Sequence, residues 1–104
     1  MSRIREYARG QDCTIRLPHV CNWNPETTVL CHANTHRAGK GKSLKARDYL
    51  GAFGCSSCHA VLDGNTNRPR ELTKDEVELA FWHGVAETQI KLEAAGLLIV
   101  KGAK

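Results

Sequence analysis

The feature that most constrains this chain is its cysteines: Cys55-Ser-Ser-Cys58, preceded far upstream by Cys13 and Cys21. A Cys-x-x-Cys step lets two thiolates grip one tetrahedral ion from a tight turn. Cys13 and Cys21 stand at either end of a separate segment. Four thiolates from two distant stretches would therefore form a closed structural zinc site. Such a staple matters in a single domain spanning residues 1–104, because a chain this short buries only a thin core. Two other readings stand beside it. Cys13 and Cys21 can be small buried hydrophobes. Cys55 and Cys58 can be a redox pair, although they lack the βαβ setting of such motifs. Cys31, the fifth cysteine, reads as a packing residue on a strand and, next to His32, as a minor candidate ligand.

An odd cysteine count argues against a closed disulfide framework. The opening MSRIREYARGQD is polar, without an apolar leader core. No stretch approaches the ~20 apolar residues of a membrane span. The expectation is a reducing, cytoplasmic setting and no membrane partner. Fifteen Lys and Arg oppose eleven Asp and Glu, a formal net charge of +4. That excess favours polyanionic partners without identifying one. It is concentrated in Arg37, Lys40, Lys42, Lys45 and Arg47, where only Asp48 opposes it. These five are candidate DNA-backbone contacts, since each cation on a phosphate releases counterions. A solvated charged loop is the plain alternative.

The hydrophobic pattern supplies the elements. Ser2 can cap a short helix running to Arg9, closed by Gly10. Cys13 to Leu17 alternates apolar and polar residues and predicts a strand that Pro18 stops. Thr27 to His32 is β-branched and apolar and predicts a second strand, paired hairpin-like with the first. Residues 33–48 predict a loop, Tyr49 to Phe53 a short extended run, and Cys55 to Leu62 a short helix. Thr73-Lys-Asp-Glu76 is a capping box that opens a long amphipathic helix ending near Gly96. Leu97 to Val100 predicts a strand or a core-packing arm.

Two histidines fall where chemistry would want them. His59 follows Cys58, and Asp63 lies four residues later on the same helical face, so both can reach one divalent cation. An exposed histidine beside an ordinary aspartate is the alternative. His32 ends the second predicted strand and can act as a general base, its unperturbed pKa of about 6.5 suiting water activation. A strand histidine satisfied by a backbone hydrogen bond is the alternative. His83 reads as structural and His19 as a surface turn residue or substitute zinc ligand, while His36 can touch phosphate or metal.

The strings ARGQDCTIRLPHVCNWNPETTVLCH and GCSSCHAVLDG resemble the YbcO-like family of small phage and prophage nucleases, over residues 3–98. That family is grouped with the HNH, or ββα-metal, endonucleases. The resemblance implies an α+β fold: a small ββα-metal domain with a structural zinc site, a short N-terminal helix and a long C-terminal helix. It implies His32 as general base, His59 as metal ligand and Asp63 as a second helical ligand. Cys13, Cys21, Cys55 and Cys58 match the zinc knuckle. The implied activity is a DNA endonuclease that uses Mg2+ or Mn2+ and leaves 5′-phosphate and 3′-hydroxyl ends, in phage recombination or DNA processing.

Two positions depart from the group. Cys31 stands where many members carry an acidic or histidine ligand, and Leu50 where many carry an asparagine that orients the base. Asp48, Asn34 or a backbone carbonyl can substitute for the latter. Cys31 leaves a rival open, a non-catalytic zinc module that binds DNA or a protein. The apolar stripe of the long helix is compatible with a monomer or a homodimer.

Overall fold

The computed structural model describes residues 3–33, 47–64 and 66–102. The elements run α1 (Arg3–Ala8), β1 (Val29–His32), β2 (Gly51–Gly54), α2 (Ser56–Leu62) and α3 (Lys74–Ala94), with single 3-10 turns at Pro25–Thr27 and Asp48–Leu50. It is a small α+β fold: three helices around a two-stranded antiparallel sheet. In register, Leu30 faces Phe53, Cys31 faces Ala52 and His32 faces Gly51.

The predicted pairing is corrected here. Cys13 to Leu17 is not a strand, and β1 pairs instead with residues 51–54. The apolar alternation is present, with Cys13, Ile15 and Leu17 all buried. The backbone does not stay extended, because Arg16, His19 and Trp23 adopt φ values of 50, 62 and 58°. Positive φ is uncommon for residues with a Cβ, so three in eight residues mark a chain wound tightly around something. What remains of sheet pairing is one backbone bond, Thr14 N–H to the Phe53 carbonyl at 2.7 Å.

That bond closes the free edge of β2. The Phe53 N–H donates to the Thr88 hydroxyl at 3.1 Å, and the Thr14 hydroxyl lies 3.1 Å from both the Gly84 carbonyl and the Thr88 hydroxyl. An edge that would otherwise template aggregation is thus occupied by side chains of α3 and the 13–17 segment. Gly84 makes the approach possible: a Cβ there would lie 3.0 Å from Thr14 Oγ1 and 3.2 Å from Ala52 Cβ.

Strand alternation divides the core in two. Leu30 and Phe53 pack with Ala8 of α1 and Leu92 of α3. Cys31 and Ala52 face the other way, toward Ile15, Leu17, Val77, Phe81 and Val85. The capping box forms as expected, with the Glu76 N–H on Thr73 Oγ1 at 3.1 Å and the Thr73 N–H on the Glu76 carboxylate at 2.8 Å. Leu97 and Leu98 pack on the core, whereas Ile99 and Val100 are exposed, so the tail is a short arm and not a strand. Among the described residues no helix is long and apolar enough to cross a membrane.

Candidate functional site

The four predicted sulfurs converge. The ligand atoms of Cys13, Cys21, Cys55 and Cys58 all lie within 4.8 Å of one another. The Cys13–Cys58 and Cys21–Cys55 sulfurs are each 3.8 Å apart. Metal–sulfur bonds of about 2.3 Å put the edges of a tetrahedron at about 3.8 Å, so this set can hold one metal ion. Backbone N–H groups point inward as well: Arg16 to Cys13 Sγ at 3.4 Å, Asn22 to Cys55 Sγ at 3.5 Å and Cys58 to Cys55 Sγ at 3.4 Å. Two of these donors, Arg16 and Asn22, lie at or next to positive-φ residues. Cys55 is also the N-cap of α2, so one residue both starts the helix and joins the cluster.

The thiols differ in their environments. A hydrogen bond from Cys58 pulls Cys13 down to about 4, and the same contact pushes Cys58 up. Burial pushes Cys21 up to about 11. Cys31 lies outside the cluster, and burial pushes its thiol up as well. It is a packing residue: a Cβ on Gly54 would sit 2.6 Å from its sulfur.

The upstream arm is tied directly to α2. The Asn22 amide donates to Ser56 Oγ at 3.0 Å and Ser57 Oγ at 3.2 Å, and the Ser56 N–H donates to Thr27 Oγ1 at 3.2 Å. Asn24 caps the Pro25–Thr27 turn. The sequence NWNPET is therefore a bracket between the first cysteine pair and the helix carrying the second.

His32 ends β1, half-buried, with its Nε2 2.7 Å from Asp48 Oδ1. Arg5 of α1 reaches the same oxygen at 3.3 Å. Asp48 is thus the side chain beside the imidazole. Leu50 instead packs on the core and accepts the Ala33 N–H at 3.2 Å. In the sequence Asp48 is one of three candidate substitutes, marked only as the lone acid beside a basic run.

On α2, His59 Nε2 lies 2.9 Å from Asp63 Oδ2, both side chains partly exposed. Adjacent ligands of an octahedral ion with bonds of about 2.1 Å stand about 3 Å apart, so the pair has the spacing of two neighbouring donors. His32 also lines a cavity with Val61 and Leu62 of α2 and Phe81 and Trp82 of α3. Among the described residues, His59 and Asp63 are not part of that lining. His19 and His83 are exposed on the surface. Arg47 is exposed and precedes the Asp48–Leu50 turn. Arg37, Lys40, Lys42, Lys45, Asn34 and His36 lie outside the described residues.

Comparison with known proteins matches this architecture. The family described as "Putative nuclease YbcO" matches residues 2–97. A protein of Escherichia coli strain K12 named "Putative nuclease YbcO" is 38% identical over 91 residues, covering 86% of this chain and 90% of that one. A protein of Enterobacteria phage 82 with the same name matches to the same extent. A solved structure described as "a putative bacteriophage protein" from Escherichia coli K-12 superposes with a TM-score of 0.70 at 32% identity, covering 90% of this chain and all of that one. The extent of these matches identifies the chain as a member of the YbcO family.

Proposed function

We propose that this protein is a metal-dependent DNA endonuclease of the HNH type, cutting phosphodiester bonds in phage or prophage DNA processing. The observation that carries this reading is the His32–Asp48 contact at the end of β1, in a chain that runs strand, strand, helix. The names of the relatives support a nuclease. A carboxylate on one ring nitrogen fixes the tautomer and orientation of the imidazole and leaves the other nitrogen for a water molecule.

In this reading His32 takes the proton from the attacking water. His59 and Asp63 would hold a divalent cation, Mg2+ or Mn2+. Bound there, such an ion would neutralise charge on the phosphorane and the departing 3′ oxygen. The closed four-thiolate set suits structural Zn2+, which leaves no open position for chemistry. Its role is to hold the upstream arm against α2. Arg37, Lys40, Lys42, Lys45 and Arg47 grip the DNA backbone, so binding weakens as salt rises.

A second reading has one observation in its favour. Among the described residues, the four sulfurs are the only set of three or more donors close enough to share an ion. A zinc module that binds without cutting fits that fact. Nicking of supercoiled plasmid with Mg2+ or Mn2+ decides between the two. Wild type should nick, and His32→Ala should be slower by about 10²- to 10⁴-fold with its fold intact. Absence of cutting on every DNA form, or a His32→Ala protein as fast as wild type, would end the enzymatic reading.

A further inference from the structure

The cavity beside His32 is larger than a water-activating site requires. Its volume is about 480 Å3, within the range of pockets that enclose small organic ligands. Val61, Val77, Phe81 and Trp82 supply apolar wall, with the Phe81 and Trp82 rings packed edge to face at 5.2 Å. Arg68 and Lys74 stand among the lining residues, and neither forms an ion pair among the described residues. Among the described lining residues Glu78 is the one carboxylate. Asn67 adds a side-chain amide with both donors and an acceptor.

These features sort by chemistry. An aromatic face in an apolar wall suits the flat surface of a nucleobase, stacking being tolerant of which base it is. Two cations without an ion-pair partner among the described residues suit phosphate, Arg68 using one of its donors on the Leu72 carbonyl. An amide suits a base edge. The general-base candidate, His32, is in the same lining.

We propose that this cavity holds one unstacked nucleotide of the substrate strand, its base against Trp82 and its phosphate on Arg68 and Lys74. This rests on the nuclease reading and adds a substrate class to it. A base inside an intact duplex must leave the stack to enter, at a cost least for single-stranded, mismatched or branched DNA. The favoured substrates are therefore those with a base already free.

The two tryptophans make the test direct. Trp23→Phe leaves Trp82 as the sole tryptophan in the full-length, metal-loaded protein. A ten-residue oligothymidine and a duplex of the same length are titrated without added Mg2+ or Mn2+, so nothing is cut. The single strand should quench Trp82 and bind about tenfold tighter than the duplex. Lys74→Glu, at an exposed helix start, should weaken single-strand binding by about tenfold without changing the melting temperature. Equal binding of the two DNA forms, no change in Trp82 emission, or no effect of Lys74→Glu would overturn the proposal. Quenching without cleavage of any DNA would leave the cavity assignment standing and remove the nuclease reading. Cleavage indifferent to Lys74→Glu and to strandedness would do the reverse.

Discussion

The four sulfurs and the two imidazole–carboxylate pairs are built in opposite ways. Three of the four cysteines are buried, their sulfurs converge from two separate stretches of the chain, and backbone N–H groups point at them. His32–Asp48, which Arg5 joins, and His59–Asp63 are partly exposed contacts between side chains. A group that must hold structure is surrounded, whereas a group that must meet a substrate keeps a side open. In the proposed reading the first cluster is a scaffold and the second a working surface. Each can be perturbed without the other only if that division is real.

The largest effect should come from the scaffold. On the structural-zinc reading, Cys58→Ser, or removal of the bound metal by a strong chelator, should abolish the cooperative thermal transition, since such a site contributes about 10 kcal/mol or more in small domains. His59→Ala should leave the melting curve within about 0.5 kcal/mol of wild type, as a partly exposed substitution. A Cys58→Ser protein that keeps its metal and its transition would show that the cluster is no staple. Metal content and calorimetry on the same samples read both outcomes.

Next comes the working surface. Asp48→Asn keeps the size of the side chain but removes its charge from the His32 ring. Nicking should slow by about 10- to 100-fold, the usual cost of losing the carboxylate that orients a functional histidine. That places it between wild type and His32→Ala, with stability changed only by the loss of the exposed Arg5 pair, about 0.2–1 kcal/mol. Wild-type nicking by Asp48→Asn would reduce the contact to packing and shift the search for an orienting group to residues 34–46.

The same division explains what the sequence makes legible. Cys55 and Cys58 carry their geometry in their spacing, and Cys13 and Cys21 follow once a four-thiolate site is supposed. The capping box at Thr73 and the helix after it are local as well. The 13–17 segment misleads because its alternation is genuine while its conformation is not. Burial of Cys13, Ile15 and Leu17 satisfies the pattern, but turns at Arg16, His19 and Trp23 bend the chain toward the sulfurs. Periodicity registers which side chains are inside and is blind to φ. Asp48 is hard to assign for a different reason. It lies sixteen residues from His32, and only the pairing of β1 with residues 51–54 brings it back. No local pattern encodes a contact made by closing a loop of that length.

A smaller effect probes where scaffold and sheet meet. Gly54→Ala would put a Cβ 2.6 Å from Cys31 Sγ and 2.8 Å from Ile15 Cδ1. Overpacking of this kind costs about 1–3 kcal/mol. Cys31→Ala in the same protein should recover part of that loss in urea denaturation, because the sulfur is one of the two atoms in the way. Full additivity of the two losses would mean that Cys31 and residue 54 do not share space, contrary to the packing role assigned to Cys31.

The smallest effect concerns how the upstream arm is held. Arg16 donates its N–H to Cys13 Sγ, and its guanidinium pairs with Glu87 of α3 through two bonds of 2.8 and 2.6 Å. The hydrogen bond from Arg16 holds the Glu87 carboxyl below its ordinary value of 4.5. A carboxyl lowered by folding adds stability that is fully present above that ordinary value and is lost as pH falls through the lowered one. Both side chains are more than a third exposed, at 41% and 35%, so the contribution is about 0.2–1 kcal/mol and shrinks with salt. Glu87→Gln should therefore be slightly less stable than wild type at neutral pH, and the two should converge well below pH 4.5. Convergence with no change in bound metal assigns the arm to the sulfurs, with the ion pair as a surface strap. A Glu87→Gln protein that sheds its metal at neutral pH would instead make the ion pair part of the scaffold, and the division between held and open clusters would fail at its N-terminal edge.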